Sequence, residues 1–528
     1  MASNGELRGK NLVELFFTRD TPTSKVWICK CGQRRTQTGT GYTNLASHIT
    51  SAHSEQYVQL QIGNPAKNKT VLDHFWPKKA QSIHAWISMI VTGLLPFSFC
   101  ENEHARRYMR PEPVSRNTLM KYLKSLGETV EKKIATTLPD TFCLVFDGWT
   151  SKDNTHYMGM FATYASKEPN GYSKILLTFS PMGEEESLGA QEHFEFATFV
   201  LELYGKTWTN VASLIGDNCP SNKAFANKAR KPLVGCASHR FNLAVKDMLE
   251  DYTNLTTKVY HLMKKLRNII HSAKLRKMTP LRPKCGNVTR WSSTFVMMER
   301  YMKLKEFLPQ LCLDDVDDLL PTAREDREIE ALLERLADLD SVTKALQQEN
   351  LTMWDVRQLF DTVIVEYPES ATRISADSDI VHNKTFERAI VKIQKGSVGE
   401  LITEEMKSVE VLQIVRSNSA PQSKYPAKIE SLAERALKRQ KLDDTAGNQS
   451  DAKYMDLRFI VPTSNICERL FSKAGYGLDS RRQNTLPSNF ELQMFLHANN
   501  DLWGIKEVND LLTKETNTDN DGDEPGEV

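Results

Sequence analysis

Two apolar runs that each close on an aspartate constrain this chain more than any other feature. Residues 142–146 read Phe-Cys-Leu-Val-Phe and lead into Asp147; residues 211–216 read Val-Ala-Ser-Leu-Ile-Gly and lead into Asp217. Short apolar runs bounded by polar residues predict strands buried on both faces. Between them, 157–164 and 174–180 read as two more strands. Residues 191–204 carry Phe194, Ala197, Phe199, Val200 and Leu203 at helical spacing. A helix over 222–230, a short strand over 233–236 and a helix from about Arg240 follow. The order β-β-β-α-β-α-β-α predicts a mixed sheet flanked by helices. In that order the first and fourth strands can lie side by side and parallel. Asp147 and Asp217 then meet at one edge of the sheet, where open sheets bind ligands. Carboxylates so placed repel and can be held ionised by Mg²⁺ or Mn²⁺ through oxygen ligands. A plainer role stays open to each, because an aspartate after a strand commonly caps a helix or starts a turn.

The chain has 528 residues, which predicts several domains at roughly one per 150 residues. Its 40% hydrophobic and 26% charged content suits a globular protein with a real core. The net charge of +1 conceals segregation: residues 252–298 hold ten Lys and Arg and no Asp or Glu, while 314–340 and 501–528 are acidic. A neutral total therefore leaves room for a nucleic-acid partner on a local basic surface. Any single charge run, taken alone, reads first as a solvated helix face. The first residues show no charged-then-apolar leader pattern. No apolar run reaches the roughly 18 residues that span a bilayer, so no membrane partner is expected. The nine cysteines sit mostly alone in apolar settings such as Cys143 and Cys312, which points to a reducing compartment. The basic run at 435–441, RALKRQK, fits a nuclear-import signal. Helical patterns dominate from 251 to about 363, including 328–339 with Leu332, Leu333, Leu336 and Leu339 on one side. Residues 377–383 and 417–453 read as loop or linker, and a final helical stretch covers 465–503.

Five segments, in order, resemble the motifs of the hAT superfamily of DNA transposases. Phe146-Asp147-Gly148-Trp149-Thr150-Ser151 looks like the first catalytic motif. Asp217-Asn218-Cys219-Pro220-Ser221-Asn222 looks like the second, with one extra residue before its final Asn that leaves the role of Asn222 open. Cys236-Ala237-Ser238-His239-Arg240-Phe241-Asn242-Leu243 resembles the following Cys-x-x-His-x-x-Asn-Leu block. Thr289-Arg290-Trp291-Ser292-Ser293 resembles the Arg-Trp motif of the family's helical insertion. Residues 464–472, which contain Glu468, resemble the block that carries the last acid and opens the dimerisation region.

The resemblance implies an RNase H-like sheet interrupted by a large helical insertion, within an α+β or α/β multidomain chain. It implies that Asp147, Asp217 and Glu468 bind Mg²⁺ or Mn²⁺ and perform two-metal phosphoryl transfer, hydrolysis followed by transesterification. It also implies that Trp291 stacks on a DNA base with Arg290 beside it on phosphate; the alternative for Trp291 is a core aromatic. Cys236 and His239 have a metal-like spacing, but no second pair stands near, so a structural or DNA-positioning role is expected. The acid-free stretch offers Lys264, Lys265, Arg267, Arg276 and Lys277 to phosphate.

Cys29, Cys31, His48 and His53 resemble a BED-type zinc finger, a module common at the start of hAT proteins. Two thiolates and two imidazoles suit tetrahedral Zn²⁺, although a single residue separates the cysteines where two are usual. Lys25, Lys30, Arg34 and Arg35 would reach phosphate. The expected organisation is a finger over 1–54, a helical linker or DNA-binding segment over 55–140, the first part of the RNase H-like core over 141–250, and helical insertion and linker over 251–455. The dimerisation region with the end of the core follows over 456–503, then an acidic disordered tail over 504–528. The function implied is a transposase, or a transposon-derived protein, acting on double-stranded DNA in the nucleus as a homodimer or higher oligomer. The alternative is a non-catalytic DNA-binding dimer acting in regulation. The apolar residues between Leu486 and Trp503 are the expected dimer surface.

Overall fold

The computed structural model describes residues 10–21, 24–37, 41–54, 76–166, 171–182, 189–287, 290–311, 316–414, 454–478 and 486–520. The nuclear-import run at 435–441, the linker at 417–453, Thr289 and Cys312 lie outside them. The chain divides into two compact units, Met1–Leu126 with Trp503–Val528, and Gly127–Leu502.

The first unit opens with α1 (Lys10–Phe16), an antiparallel hairpin sheet of β1 (Phe17–Arg19), β2 (Val26–Cys29) and β3 (Arg34–Thr36), and α2 (Thr43–Ala52). Leu12, Val13, Phe16, Phe17, Trp27, Leu45 and Ile49 form its small core. Helices α3 (Lys78–Thr92) and α4 (Glu103–Tyr108) follow, and then α5 (Arg116–Thr137), which from Gly127 on is part of the second unit. Helix α3 buries Ile83, Trp86, Ile87, Ile90 and Val91, the stripe that a 3.6-residue period places on one face.

The second unit is built on a five-stranded mixed sheet. Its strands are β4 (Phe142–Thr150), β5 (His156–Ala165), β6 (Tyr172–Pro181), β7 (Val211–Gly216) and β8 (Leu233–Gly235). They lie in the order β6-β5-β4-β7-β8. Neighbours β4, β5 and β6 run antiparallel, whereas β7 is parallel to β4 and to β8. The four strand-like segments at 142–146, 157–164, 174–180 and 211–216 are thus all strands. Helices α6 (Ala190–Leu203), α7 (Pro220–Ala229) and α8 (Ala237–Leu249) occupy the connections.

The insertion contributes α9 (Thr253–Leu266), α10 (Ile269–Arg276), α11 (Trp291–Leu304), α12 (Ala323–Leu346) and α13 (Met353–Glu366). It continues through α14 (Ala371–Ile374), α15 (Lys384–Lys395) and α16 (Thr403–Ser408). It has its own core, running from Phe241 and Val245 on α8 through Leu262, Trp291 and Tyr301 to Leu336 and Phe360. The leucines expected on one side of 328–339 behave so in part: Leu332, Leu336 and Leu339 are buried, Leu333 partly.

Two helices then return to the sheet, α17 (Asn465–Gly477) and α18 (Pro487–Ala498). Phe146 on β4 meets Phe225 of α7 (centroids 5.1 Å apart), while Trp149 stacks on Phe471 of α17 at 6.3 Å and 15°. Alternation along a strand therefore sends even positions of β4 to α7 and odd positions, Asp147 among them, to α17.

Two expectations change here. The stretch from Leu486 to Trp503 was expected to face a second copy, yet most of its apolar residues are covered by the chain itself. Phe490 packs edge-on against Tyr157 and Phe179, Met494 and Leu496 are fully buried, and the Asn499 amide exchanges two hydrogen bonds with the backbone of Leu176 on the edge strand β6. The sheet's open edge and its aromatic face supply the cover. The acidic tail expected over 504–528 is, over Ile505–Asn520, a helix, α19. It belongs to the first unit, where it buries Val508 and Leu512 and where Glu515 accepts hydrogen bonds from Tyr122 (2.6 Å) and Lys121 (2.9 Å). Two apolar residues a helical turn apart were enough to dock a segment that composition alone reads as a solvated tail.

Candidate functional site

The β4–β7 register pairs Leu144 with Leu214 and Val145 with Ile215, so Asp147 and Asp217 stand at matching heights on neighbouring parallel strands. Asp147 lies inside β4, which continues to Thr150 paired with β5, rather than at the strand's end. Asp217 directly follows the last residue of β7. The turn after it is fixed by Asn222, whose side-chain amide donates to the Asp217 carbonyl at 2.9 Å. That gives Asn222 a positioning role. Glu468 stands in the first turn of α17, the helix packed on the odd-numbered face of β4.

All three acids line one open cleft of about 680 Å³, with Trp149, His239, Asn242, Arg290 and Asn465 on its walls. Two of the acids are engaged by cationic side chains. Asp217 Oδ2 lies 2.9 Å from His239 Nδ1, and Glu468 Oε2 accepts from Arg290 Nη2 at 2.6 Å. The hydrogen bond to Asp217 holds the His239 imidazolium above its ordinary range, against the opposing effect of burial. Asp147 receives one local hydrogen bond, from the Gly148 N–H at 2.9 Å. Burial first, and then the neighbouring Asp217 and Glu468 charges, push its carboxyl up to about 8. A half-buried acid that resists ionisation beside two others marks a place where a cation would relieve the repulsion. An all-oxygen donor set of this kind suits Mg²⁺ or Mn²⁺. Among the described residues, only the finger's side chains bring ligand atoms all within 4.8 Å of one another; the three acids share a cleft without closing that far.

Of the other expected contacts, His239, Arg290 and Trp291 border the cleft, and Cys236 does not. Cys236 is 1% exposed, and its sulfur accepts the Ser464 N–H at 3.4 Å. Burial pushes its thiol up to about 12, so it is a neutral strut, the structural of the two roles expected of it. Trp291 is 3% exposed and belongs to the insertion core beside Phe295, the core-aromatic alternative. It is the first residue of α11, and the little surface it keeps borders the cleft. Its backbone N–H donates to Asn242 at 3.3 Å, which helps hold Arg290, its neighbour, over the cleft. The aromatic on the cleft wall that the sequence did not single out is Trp149. Its place two residues after Asp147 on an alternating strand was the available signal.

Lys264, Arg267, Arg276 and Lys277 are exposed around the end of α9 and along α10, and Lys265 is partly so. In the finger, the Cys29 sulfur lies 3.0 Å from His53 Nε2 and the Cys31 sulfur 3.4 Å from His48 Nε2. The single residue between the cysteines is accommodated by a tight knuckle. The Gly32 N–H donates to the Cys29 carbonyl at 2.8 Å, and Gly32 takes a left-handed φ of 84° that glycine adopts without strain. Burial and the nearby Arg35 lower the proton affinity of His48, which favours the neutral imidazole a metal requires. This group could hold a metal ion, and its chemistry is that of zinc. Lys25, Lys30, Arg34 and Arg35 are exposed around it.

No protein-family model matches the chain. It is similar to a protein of Talaromyces stipitatus described as "Putative transcriptional regulator tpeD", at 21% identity over 366 residues, covering 57% of this chain and 43% of that protein. The chain thus spans less than half the length of this relative. No helix among the described residues is long and apolar enough to cross a membrane.

Proposed function

We propose that this chain is a DNA-acting protein of the hAT transposase type, with an RNase H-like core and a zinc finger. The observation that carries this reading is the convergence of Asp147, Asp217 and Glu468 in one cleft. The first two come from adjacent parallel strands and the third from a helix that enters only after a long insertion. Strand order β6-β5-β4-β7-β8, with three antiparallel strands followed by two parallel ones, supports the RNase H-like core. Asp147, Asp217 and Glu468 would hold divalent cations, which supply activation of the attacking and leaving oxygens of a phosphodiester. The chain's own part is positional. Asn222 fixes the Asp217 turn, His239 orients the Asp217 carboxylate, and Arg290 offers a cation at the cleft mouth for a phosphate oxygen. The finger and the acid-free surface of the insertion would supply sequence-independent grip on the duplex. Action on DNA would place the protein in the nucleus.

The second reading is a DNA-binding regulator that has kept this scaffold without its chemistry. The relative's description as a transcriptional regulator favours it, as do the His239 and Arg290 partners that already neutralise two of the acids. Self-association remains a proposal, and the mostly buried α18 leaves it little of the apolar surface on which it rested, Leu486 apart. Thermal unfolding in Mn²⁺ separates the readings. The enzyme reading expects Mn²⁺ to raise the unfolding midpoint of the wild-type chain and leave Asp147→Asn unchanged. Equal midpoints for wild type with and without Mn²⁺ would favour the regulator.

A further inference from the structure

Ile269 and Ile270 stand 86% and 70% exposed at the corner where α9 hands over to α10. They are outside the apolar pattern of both helices. Helix α9 turns Val259, Leu262, Met263 and Leu266 inward, and α10 buries His271 and Leu275. The two isoleucines therefore protrude side by side with nothing of their own helices to cover them. Removing such side chains from water is favourable, so the pair is an anchor for whatever receives it. Its surroundings select the receiver. Lys264 and Arg267 precede the pair, and Lys274, Arg276 and Lys277 follow it, all exposed. None of Lys264, Arg267, Lys274 and Lys277 has a carboxylate at ion-pair distance among the described residues, and no acid occurs in sequence between Asp251 and Glu299. A second copy of the same corner would be repelled. A polyanion with an apolar interior matches both features.

Resting on the DNA reading above, we propose that Ile269 and Ile270 form a wedge that enters between base pairs of duplex DNA while the surrounding cations hold the flanking phosphates. Apolar wedges of this kind unstack a base step and kink the duplex. The cations alone would bind any sequence and add no distortion. The pair thus turns a general electrostatic contact into a bent one, which favours steps that unstack easily.

The test uses the full chain and a short mixed-sequence duplex carrying 2-aminopurine, a base whose fluorescence rises on unstacking. Wild type should raise the fluorescence. I269A/I270A should abolish the rise and weaken binding roughly tenfold, because the burial it loses is largely offset by the unstacking it no longer performs, with an unchanged salt dependence. Both side chains are exposed, so the variant should unfold at the wild-type temperature. K264Q/R267Q/K277Q should instead flatten the salt dependence. If I269A/I270A binds and brightens the duplex as wild type does, the wedge is wrong while the DNA reading stands. If wild type binds no duplex at any salt, both fall. If I269A/I270A loses binding to anionic lipid vesicles but keeps duplex binding, the pair serves a membrane surface and the proposal is overturned.

Discussion

Asp147 and Asp217 occupy matching positions on adjacent parallel strands, and only Asp217 has a cationic partner, His239, 2.9 Å away. The asymmetry leaves Asp147 with the cost of the crowded charges, its carboxyl pushed up to about 8. A folded-state value raised above that of the unfolded chain means stability that is present at low pH and lost as pH rises through the folded value. Without metal, the protein should therefore lose stability between about pH 4 and pH 8 through this group. Asp147→Asn should remove that loss and raise stability at pH 8 by at least about 1 kcal/mol. Thermal unfolding of both proteins in chelator at pH 5 and pH 8 checks the sign. A variant less stable than wild type at pH 8 would mean that Asp147 is satisfied in some other way.

The finger should carry zinc. Metal analysis of the purified full chain is expected to find one equivalent, lost on Cys31→Ala or His53→Ala. Chelation should unfold the finger, since ligand binding there is coupled to folding. Wild-type protein free of zinc at neutral pH would show that Cys29, Cys31, His48 and His53 meet only through hydrogen bonds.

The covered face of α18 gives a contrast between two nearby apolar residues. Phe490 is buried in the Tyr157–Phe179 stack, whereas Leu486 is 63% exposed. Phe490→Ala should cost roughly 3–5 kcal/mol and Leu486→Ala less than about 0.5 kcal/mol, read by denaturant unfolding. Equal costs would mean that Leu486 is covered by a partner in solution.

How much of this was legible in the sequence depends on how local the signal is. The strand pairing that joins Asp147 to Asp217 could be read, because apolar runs and their order constrain a sheet strongly. Periodicity places α12 only over 328–339; the structure starts it at Ala323, where Thr322 and Glu325 form a capping box. The two readings of Trp291 could not be separated in the sequence, because a motif position does not say how deeply an aromatic is buried; only the packing of α11 on α8 decides it. The helix at Ile505–Asn520 was hidden for the same reason. Its polar composition is that of a tail, and its docking depends on side chains supplied by the distant α3 and α5.

Neutralising Lys264, Arg267 and Lys277 together should weaken duplex binding and reduce the slope of log affinity against log salt by roughly 0.9 for each phosphate no longer neutralised. Titrations at several salt concentrations measure it directly. An unchanged slope would place these residues on a face turned away from DNA.

The central claim is that the cleft does phosphoryl-transfer chemistry on DNA. The most direct measurement is strand cleavage by purified full-length protein on duplexes that carry the terminal sequences flanking its gene, in Mn²⁺, beside Asp217→Asn and Glu468→Gln. Each substitution keeps size and removes one charge. The expected result is cleavage by wild type, a loss of at least about 100-fold in each variant, and duplex binding retained by all three. Cleavage that persists undiminished in Asp217→Asn would contradict the assignment, and wild-type protein that binds these ends without cutting them would leave the regulator in its place.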